Sequence, residues 1–209
     1  MGLFERKSTP ITSSYFSIGS EKTKLIVGLG NIGKKYQLTR HNAGFLCLDH
    51  AVKLAEGEWN EKKSLKSLVS EVRIGEKRVI FIKPTTLMNL SGNAVQAAKQ
   101  FYKIEDKDII VVHDELALPF GSLRIRIGGS DAGNNGIKSV SATIGKDYAR
   151  LRIGIAGEYS EKEDAAAYVL KNFSKEEQGN FKALYAETNA LITEFIFSDT
   201  MQPDTRQFI

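Results

Sequence analysis

Segments typical of buried strands alternate along this chain with segments typical of helices, and this alternation limits the possible folds more than any other feature. The first strand is predicted over Lys24–Gly28, and the first helix over Ala43–Glu56, where apolar residues recur at helical spacing. One predicted hairpin, Leu65–Ile74 with Arg78–Ile82, interrupts the alternation. The sequence therefore predicts a single α/β domain with a mixed central sheet, flanked by helices on both faces.

Two later strands carry arginines at alternate positions. Over Ser122–Ile127 and Arg150–Ile155, leucine and isoleucine alternate with arginine, so each strand is predicted to have one apolar and one basic face. A predicted helix over Gly136–Ile144 separates them, and a short buried strand is predicted before them over Asp108–Val112. Both basic faces are expected on the same side of the sheet.

The domain is predicted to occupy residues 24–200. Its last helix begins with the capping box that opens at Ser174 and ends near Ser198. Residues 1–23 are rich in serine and threonine and are predicted to be a flexible N-terminal extension, and residues 201–209 are predicted to be a C-terminal tail.

Cysteine content and hydropathy indicate the compartment. Cys47 is the only cysteine among the 209 residues, so an intrachain disulfide is impossible and a reducing compartment is expected. Apolar runs in the sequence are far shorter than the ~20 residues that span a bilayer. We therefore expect a cytoplasmic protein without membrane contact.

The first strand leads into a glycine pattern that invites a dinucleotide-binding interpretation. Gly28, Gly30 and Gly33 have the G-x-G-x-x-G spacing. In a dinucleotide site the third glycine opens a helix, because the pyrophosphate lies at that helix's N-terminus. Here a helical pattern begins only near Ala43, so an oxidoreductase is the weaker alternative. The glycines are instead expected to turn the backbone sharply and place Asn31 at the carboxyl end of the strand.

Positive charge is concentrated in one part of the chain. Between Phe120 and Arg152 there are six cationic side chains and two carboxylates, in a chain whose net charge is +4. Such a concentration suggests a polyanionic partner, although an ordinary solvated surface explains charge alone as well or better.

The sequence contains three histidines, which differ in their suitability as catalytic groups. His50 lies within the first predicted helix and is interpreted as a packing residue, and His113 lies at the end of a buried strand. His41 and Asp114 each follow a predicted strand, so they can converge as a base and the group that fixes its tautomer, with water as the nucleophile. A histidine that merely satisfies its own loop is an equal alternative at this point.

Asparagines recur in the loops that follow these elements. Asn31, Asn89, Asn134 and Asn135 offer donors and acceptors without charge, which suits a site for an ester, a ribose and a water. Each alone would be an ordinary turn residue. The sequence has no cluster of cysteine and histidine, so no metal site is predicted.

Five stretches of the sequence occur together in a recognisable order and spacing: LIVGLGNIGKKYQLTRHNAG, KPTTLMNLSG, VVHDELALPFG, GNNGIKS and RLRIGI. From Lys24 onward the chain thus resembles the bacterial-type peptidyl-tRNA hydrolase family. The resemblance implies a monomeric α/β hydrolase that cleaves the ester between a peptide and the 3′ end of tRNA, recycling tRNA from prematurely released peptidyl-tRNA. It implies no cofactor and no obligatory protein partner.

The resemblance also implies roles for individual residues. His41 would be the general base, Asp114 its orienting partner, and Asn31 would hold the ester and the attacking water. Asn89 and Asn135 would bind the peptide backbone and the terminal adenosine, and Tyr36 and Met88 would line the same groove. Asn134 would belong to the same substrate-binding set. A third set would meet tRNA phosphates: Arg124, Arg126, Lys138, Arg150 and Arg152.

The sequence departs from the family pattern at two positions of these motifs. Ile32 stands where the family usually has proline, and Asn134 where it usually has histidine. An amide can still form hydrogen bonds but cannot titrate. The atypical Asn134 leaves a non-catalytic RNA-binding relative of the same fold as an alternative, against which the presence of His41, Asp114 and Asn31 argues.

Overall fold

The computed structural model describes residues 22–157, 160 and 163–209 and shows one mixed sheet with helices on both faces. Eight strands are present: β1 (Thr23–Gly28), β2 (Asn60–Lys62), β3 (Ser67–Ile74), β4 (Lys77–Pro84), β5 (Ile109–Pro119), β6 (Ser122–Ile127), β7 (Ala149–Ala156) and β8 (Asp204–Gln207). The α-helices are α1 (Ala43–Leu54), α2 (Ser91–Tyr102), α3 (Asn135–Ile144), α4 (Ala165–Val169), α5 (Lys175–Gly179) and α6 (Phe181–Phe197).

The strand order is β2-β3-β4-β1-β5-β7-β6-β8. The four central strands β4, β1, β5 and β7 are parallel neighbours, while β2 and β3 on one side and β6 and β8 on the other pair antiparallel. The predicted mixed sheet and the predicted hairpin, now β3 and β4, are confirmed. Because the central strands are parallel, their carboxyl ends open onto a common edge where a site can form.

Two apolar cores lie on opposite faces of this sheet. On one face, α1 and α6 bury residues such as Leu48 and Leu191 against Ile26 and Val112. On the other, α2 and α3 bury residues such as Val95 and Ile137. The expectation of helices on both faces is confirmed.

Glycines in the first loop allow α1 to pack directly on the strand ends. A Cβ atom on Gly28 would lie 2.8 Å from the carbonyl oxygen of Gly44, and one on Gly30 would lie 2.6 Å from the ring of Phe45. Gly33 has a φ of 121°, which favours glycine, but only a 3-10 turn follows it, at Lys34–Tyr36. The expected sharp turn therefore occurs at Gly33, whereas the first two glycines serve close packing.

Two predicted elements differ in extent from the structure. β5 does not end at Val112 but continues to Pro119, because it still pairs with β7 through Glu115. The predicted helix after Ser174 is interrupted, since α5 ends at Gly179 and α6 begins at Phe181; glycine is a poor helix former. The capping box at Ser174 is present.

The prediction of a tail over residues 201–209 is wrong, because β8 adds an edge strand to the sheet. Leu123 of β6 pairs with Arg206, and Phe208 packs edge-on against Phe120. Of the extension predicted over residues 1–23, residues 1–21 lie outside the described residues, and Thr23 already belongs to β1.

Candidate functional site

The side chains predicted for catalysis lie together at the carboxyl edge of the parallel strands. A cavity of about 460 Å³ is lined there by Asn31, His41, Asp114 and Asn135, among others. Its opposite wall is formed by the segment that contains α4, from Asp164 to Leu170. The pairing of β1 with β5 ends at Val112, so Asp114 lies two residues beyond it, beside the loop that follows β1.

His41 and Asp114 form a direct pair. The His41 Nδ1 atom lies 3.0 and 2.9 Å from the two carboxylate oxygens of Asp114, whose side chain is 3% exposed. A carboxylate accepts hydrogen bonds, so Nδ1 carries the proton and Nε2 of neutral His41 is left as the basic atom. Burial lowers the pKa of His41, but the charge and hydrogen bond of Asp114 together raise it more, so this pKa lies above its usual 6.5.

Arg40 anchors the loop that carries His41. Its guanidinium donates to the carbonyl oxygen of Asn172 and to the carboxylate of Glu177, both at 2.8 Å, and lies over the ring of Tyr168. Thr39 forms a β-bridge with Asn172 in the same place. These contacts join the loop of the candidate base to the segment that forms the opposite wall of the cavity.

Asn42 fixes the backbone of Asn31, a role that the sequence did not reveal. The Asn42 Oδ1 atom accepts from the Asn31 backbone N–H at 2.8 Å, and its Nδ2 donates to the Asn31 carbonyl at 3.0 Å. This pair of bonds resembles a strand pairing made by a side chain. The only signal in the sequence is the position of Asn42 beside His41.

Asn134 lies on the lining of the same cavity, but its side chain is bonded within the protein. Its Oδ1 accepts from the backbone N–H groups of Gly136 and Ile137, which caps α3, and its Nδ2 donates to Asp114. The prediction that Asn134 binds substrate is not supported by this geometry, because its donors and acceptor are already engaged within the protein.

The other residues predicted for the substrate groove separate into two groups. Met88 and Asn135 line the cavity. Tyr36 and Asn89 are not among the residues that line this cavity, so the groove-lining role of Tyr36 and the binding role of Asn89 stay predictions. Tyr36 instead lies in the 3-10 turn after Gly33, with the ammonium group of Lys35 over its ring, and Asn89 is exposed.

The predicted phosphate-binding cations also form two groups, those engaged within the protein and those left without a partner. Arg150 is 2% exposed and donates to the carbonyl oxygen of Ser130 and to the hydroxyl of Ser141. The prediction that Arg150 contacts a phosphate is therefore wrong, because α3 covers this position on the basic face of β7. Arg152 is ion-paired at 2.7 Å with Glu115, which is 4% exposed.

The remaining cations stay available for an external anion. Among the described residues, the side chains of Arg124 and Lys138 have no hydrogen-bond or ion-pair partner, and the guanidinium of Arg126 donates only to the carbonyl oxygen of its neighbour Ile125. Arg124 and Arg126 lie opposite Arg152 and Arg150 in the pairing of β6 with β7. The basic face of β6 thus holds charge that the fold does not neutralise.

The remaining histidines are packing residues. His50 stacks on Tyr185 and lies within hydrogen-bonding distance of Asn189, and buried His113 contacts the carbonyl oxygen of Asp114 through Nδ1.

Within residues 22–157, 160 and 163–209, His, Cys, Asp and Glu side chains form no group of three or more that could hold a metal ion. In the same part of the chain, every helix is too short or too polar to cross a membrane.

Comparison with known sequences gives one consistent result. The sequence model of the family described as peptidyl-tRNA hydrolase matches residues 25–208. A protein named peptidyl-tRNA hydrolase from Aliarcobacter butzleri is 48% identical over 164 residues, which cover 78% of this chain and 87% of that protein. One of the same name from Fusobacterium nucleatum is 42% identical over 174 residues, covering 83% and 89% of the two chains.

Solved structures agree with the sequence comparison. The crystal structure of peptidyl-tRNA hydrolase from Acinetobacter baumannii superposes with a TM-score of 0.74 at 29% identity, covering 86% of this chain and 95% of that one. A peptidyl-tRNA hydrolase crystallised with N-propanol gives a TM-score of 0.75 at 30% identity, covering 85% and 92%.

Proposed function

The chain belongs to the peptidyl-tRNA hydrolase family and hydrolyses peptidyl-tRNA, and from this premise we propose that His41 is the general base of that reaction. The observation that carries the proposal is the contact of His41 Nδ1 with both oxygens of Asp114, at 3.0 and 2.9 Å, on the wall of the cavity. It leaves Nε2 as the atom that takes a proton.

In the proposed mechanism, neutral His41 removes a proton from a water molecule through Nε2 as the water oxygen attacks the ester carbonyl carbon. Asp114 holds the tautomer and stabilises the imidazolium that forms. When the tetrahedral intermediate collapses, the bond to the ribose oxygen breaks and that oxygen takes the proton back from His41. The products are a peptide with a free carboxyl group and tRNA with a free ribose hydroxyl.

Asn31 is proposed to stabilise the developing oxyanion or to hold the water. Its side chain lines the cavity, and Asn42 fixes its backbone through two hydrogen bonds. A donor held in place before the reaction stabilises a developing charge without reorganising, so this anchoring supports the role. Met88 and Asn135, on the same lining, are proposed to contact the peptide and the terminal adenosine. For the exposed Asn89, the same role rests on the family resemblance alone.

The tRNA phosphates are proposed to lie along β6 and α3. Arg124, Arg126 and Lys138 supply cations that no carboxylate among the described residues neutralises. Arg152 is a weaker candidate, since its charge is matched by Glu115.

Because the substrate of the enzyme is made during translation, we infer that the enzyme works in the cytoplasm. We infer a monomer from the family resemblance.

The two alternatives suggested by the sequence are not favoured. A dinucleotide-dependent oxidoreductase needs a helix at the third glycine, whereas a 3-10 turn follows Gly33 and α1 begins only at Ala43. A non-catalytic RNA-binding relative would not need the preserved pair of His41 and Asp114.

The deciding experiment measures release of an N-acetylated amino acid from its tRNA. His41→Ala should lower kcat by about 10²–10⁴-fold, the usual contribution of a general base. His50→Ala is the matched control, because it removes a histidine stacked on Tyr185, away from the cavity. A loss below tenfold in His41→Ala, or an equal loss in both variants, would reject His41 as the base.

A further inference from the structure

The side-chain amide of Asn134 is held in one orientation by the helix that it caps. Its oxygen accepts from the backbone N–H groups of Gly136 and Ile137 at 3.0 and 3.1 Å. Only an acceptor can bond to two N–H groups, so the oxygen must face α3 and the NH₂ group must face away from it. The N-terminus of the helix therefore decides which group Asn134 presents to the active site.

The group presented is a donor, and it points at Asp114. The Asn134 Nδ2 atom lies 3.0 Å from the Oδ1 atom of Asp114 and 3.3 Å from its backbone carbonyl oxygen. The same carboxylate receives the Nδ1–H of His41. Asp114 thus lies between two donors, one on each neighbouring loop, and has little freedom to rotate.

We propose that Asn134 is a positioning residue that turns the carboxylate of Asp114 toward His41, and that it does not contact the substrate. This inference rests on the proposed role of His41 as the base. An amide suits the task because it donates at every pH, so the orientation of Asp114 does not vary as the pH changes.

Other charged groups near Asp114 are already engaged. On β5, Glu115 is paired with Arg152 of β7, and buried His113, whose pKa burial lowers, contacts the backbone oxygen of Asp114. Beside His41, Arg40 is paired with Glu177.

Two further carboxylates lie near the cavity, on the elements that face His41 and Asp114. Asp131, before α3, accepts from the backbone N–H of Gly133, and Asp164 caps α4. A charge introduced at residue 134 would therefore act mainly on the pair of Asp114 and His41.

The test combines pH–rate profiles with direct titration of His41 by NMR in the full-length protein. Asn134→Asp keeps an acceptor for α3 but replaces the donor with a negative charge beside Asp114. It should raise the pKa of His41 by about one unit and move the acid limb of kcat/KM to higher pH by the same amount. Ala142→Asp, on an exposed position of α3 outside the cavity lining, adds the same charge as the matched control and should shift neither value.

Asn134→Ser provides a second variant, because serine caps a helix well but is too short to reach Asp114. It should lower kcat about tenfold and leave KM unchanged, since a lost hydrogen bond to a charged group affects only the positioning of the base. A raised KM with unchanged kcat would mean that Asn134 contacts substrate and would overturn the proposal.

The NMR titration distinguishes failure of the proposed role of His41 as the base from failure of the proposed role of Asn134 as a positioning residue. If the wild-type acid limb does not coincide with the pKa of His41, the role of His41 as the base is wrong. If the two values coincide but Asn134→Asp titrates like Ala142→Asp, the role of Asn134 alone is wrong.

Discussion

Asp114 controls both the tautomer and the charge of His41. Its carboxylate accepts from Nδ1, and its charge raises the pKa of His41 against the effect of burial. In Asp114→Asn the charge is lost and burial remains, so the pKa of His41 should fall and the acid limb of kcat/KM should move to lower pH. The maximal rate should still drop by about 10²–10⁴-fold, because an amide can stabilise the wrong tautomer.

Measurement of kcat/KM from pH 5 to 8 checks both parts of this prediction. The acid limb of kcat/KM should move to lower pH in Asp114→Asn and to higher pH in Asn134→Asp, so the two variants control for each other. An acid limb that stays in place in Asp114→Asn would show that the limb reports a group other than His41.

Cys47 should be unreactive in the folded protein. It lies on the buried face of α1, and burial raises the pKa of its thiol to about 12, although the hydroxyl of Thr188 lies close enough to oppose this. A thiol reagent at pH 8 should leave the native protein unlabelled and should react fully after unfolding in guanidinium. Labelling of the native protein at the rate of a free cysteine would contradict the burial.

The sequence indicates the proposed base, His41, but not the residues that hold the groups around it. His41 and Asp114 could be predicted as a pair because each was expected just beyond a parallel strand, and although β5 continues past Asp114, that residue does lie beyond the pairing of β5 with β1. Asn42 bonds to the backbone of Asn31, 11 positions away, and Asn134 bonds to Asp114, 20 positions away, and a single sequence holds no signal of such contacts. The burial of Arg150 was likewise hidden, since period-two alternation identifies a face of β7 but not the helix that covers it.

Helix α1 packs on the sheet so closely that its first turn requires glycine. A Cβ atom on Gly44 would lie 2.3 Å from the carbonyl oxygen of Val112 and 2.7 Å from the backbone of Leu29. Gly44→Ala should therefore lower the free energy of unfolding by about 1–3 kcal/mol, the usual cost of overpacking. Denaturant unfolding measures the effect.

Gly179→Ala is the control for this prediction. No atom lies within 4 Å of a Cβ placed on Gly179, at the end of α5. The substitution should change stability by less than about 1 kcal/mol, in the stabilising direction, because alanine restricts the unfolded chain. Equal losses in the two variants would show that close packing of α1 is not the cause.

Elements with strong hydrophobic patterns could be predicted, and elements defined by pairing could not. The buried strand β1 and the two helices α1 and α3 have clear periodicity. β8 has only four residues, and three of them, Asp204, Arg206 and Gln207, are charged or amide side chains, so its pattern is that of a loop. It forms because β6 offers an unpaired edge, which depends on the whole sheet.

At the scale of the whole molecule, the cationic side chains fall into two groups: some are bonded within the fold, and others remain for an external anion. The fold uses the guanidinium of Arg150 to bond the loop and helix that cover β7, and that of Arg152 to neutralise buried Glu115. Arg124 and Arg126, on the neighbouring strand, have no carboxylate partner in the part of the chain that the structure describes. A count of arginines in the sequence therefore overstates the number of cations that can reach tRNA.

Binding of tRNA should depend on salt mainly through Arg124 and Arg126. Each phosphate contact contributes about one unit to the slope of log K against log salt, because binding releases counterions. In the His41→Ala background, in which hydrolysis is expected to be slow, changing both arginines to alanine should reduce that slope by about two units. Changing Lys175 and Lys182, two exposed cations at α5 and α6, to alanine removes the same charge and should leave the slope unchanged. Equal reductions in both double variants would mean that tRNA responds to net charge alone, whereas a reduction confined to the arginines would identify the basic face of β6 as the phosphate-binding surface.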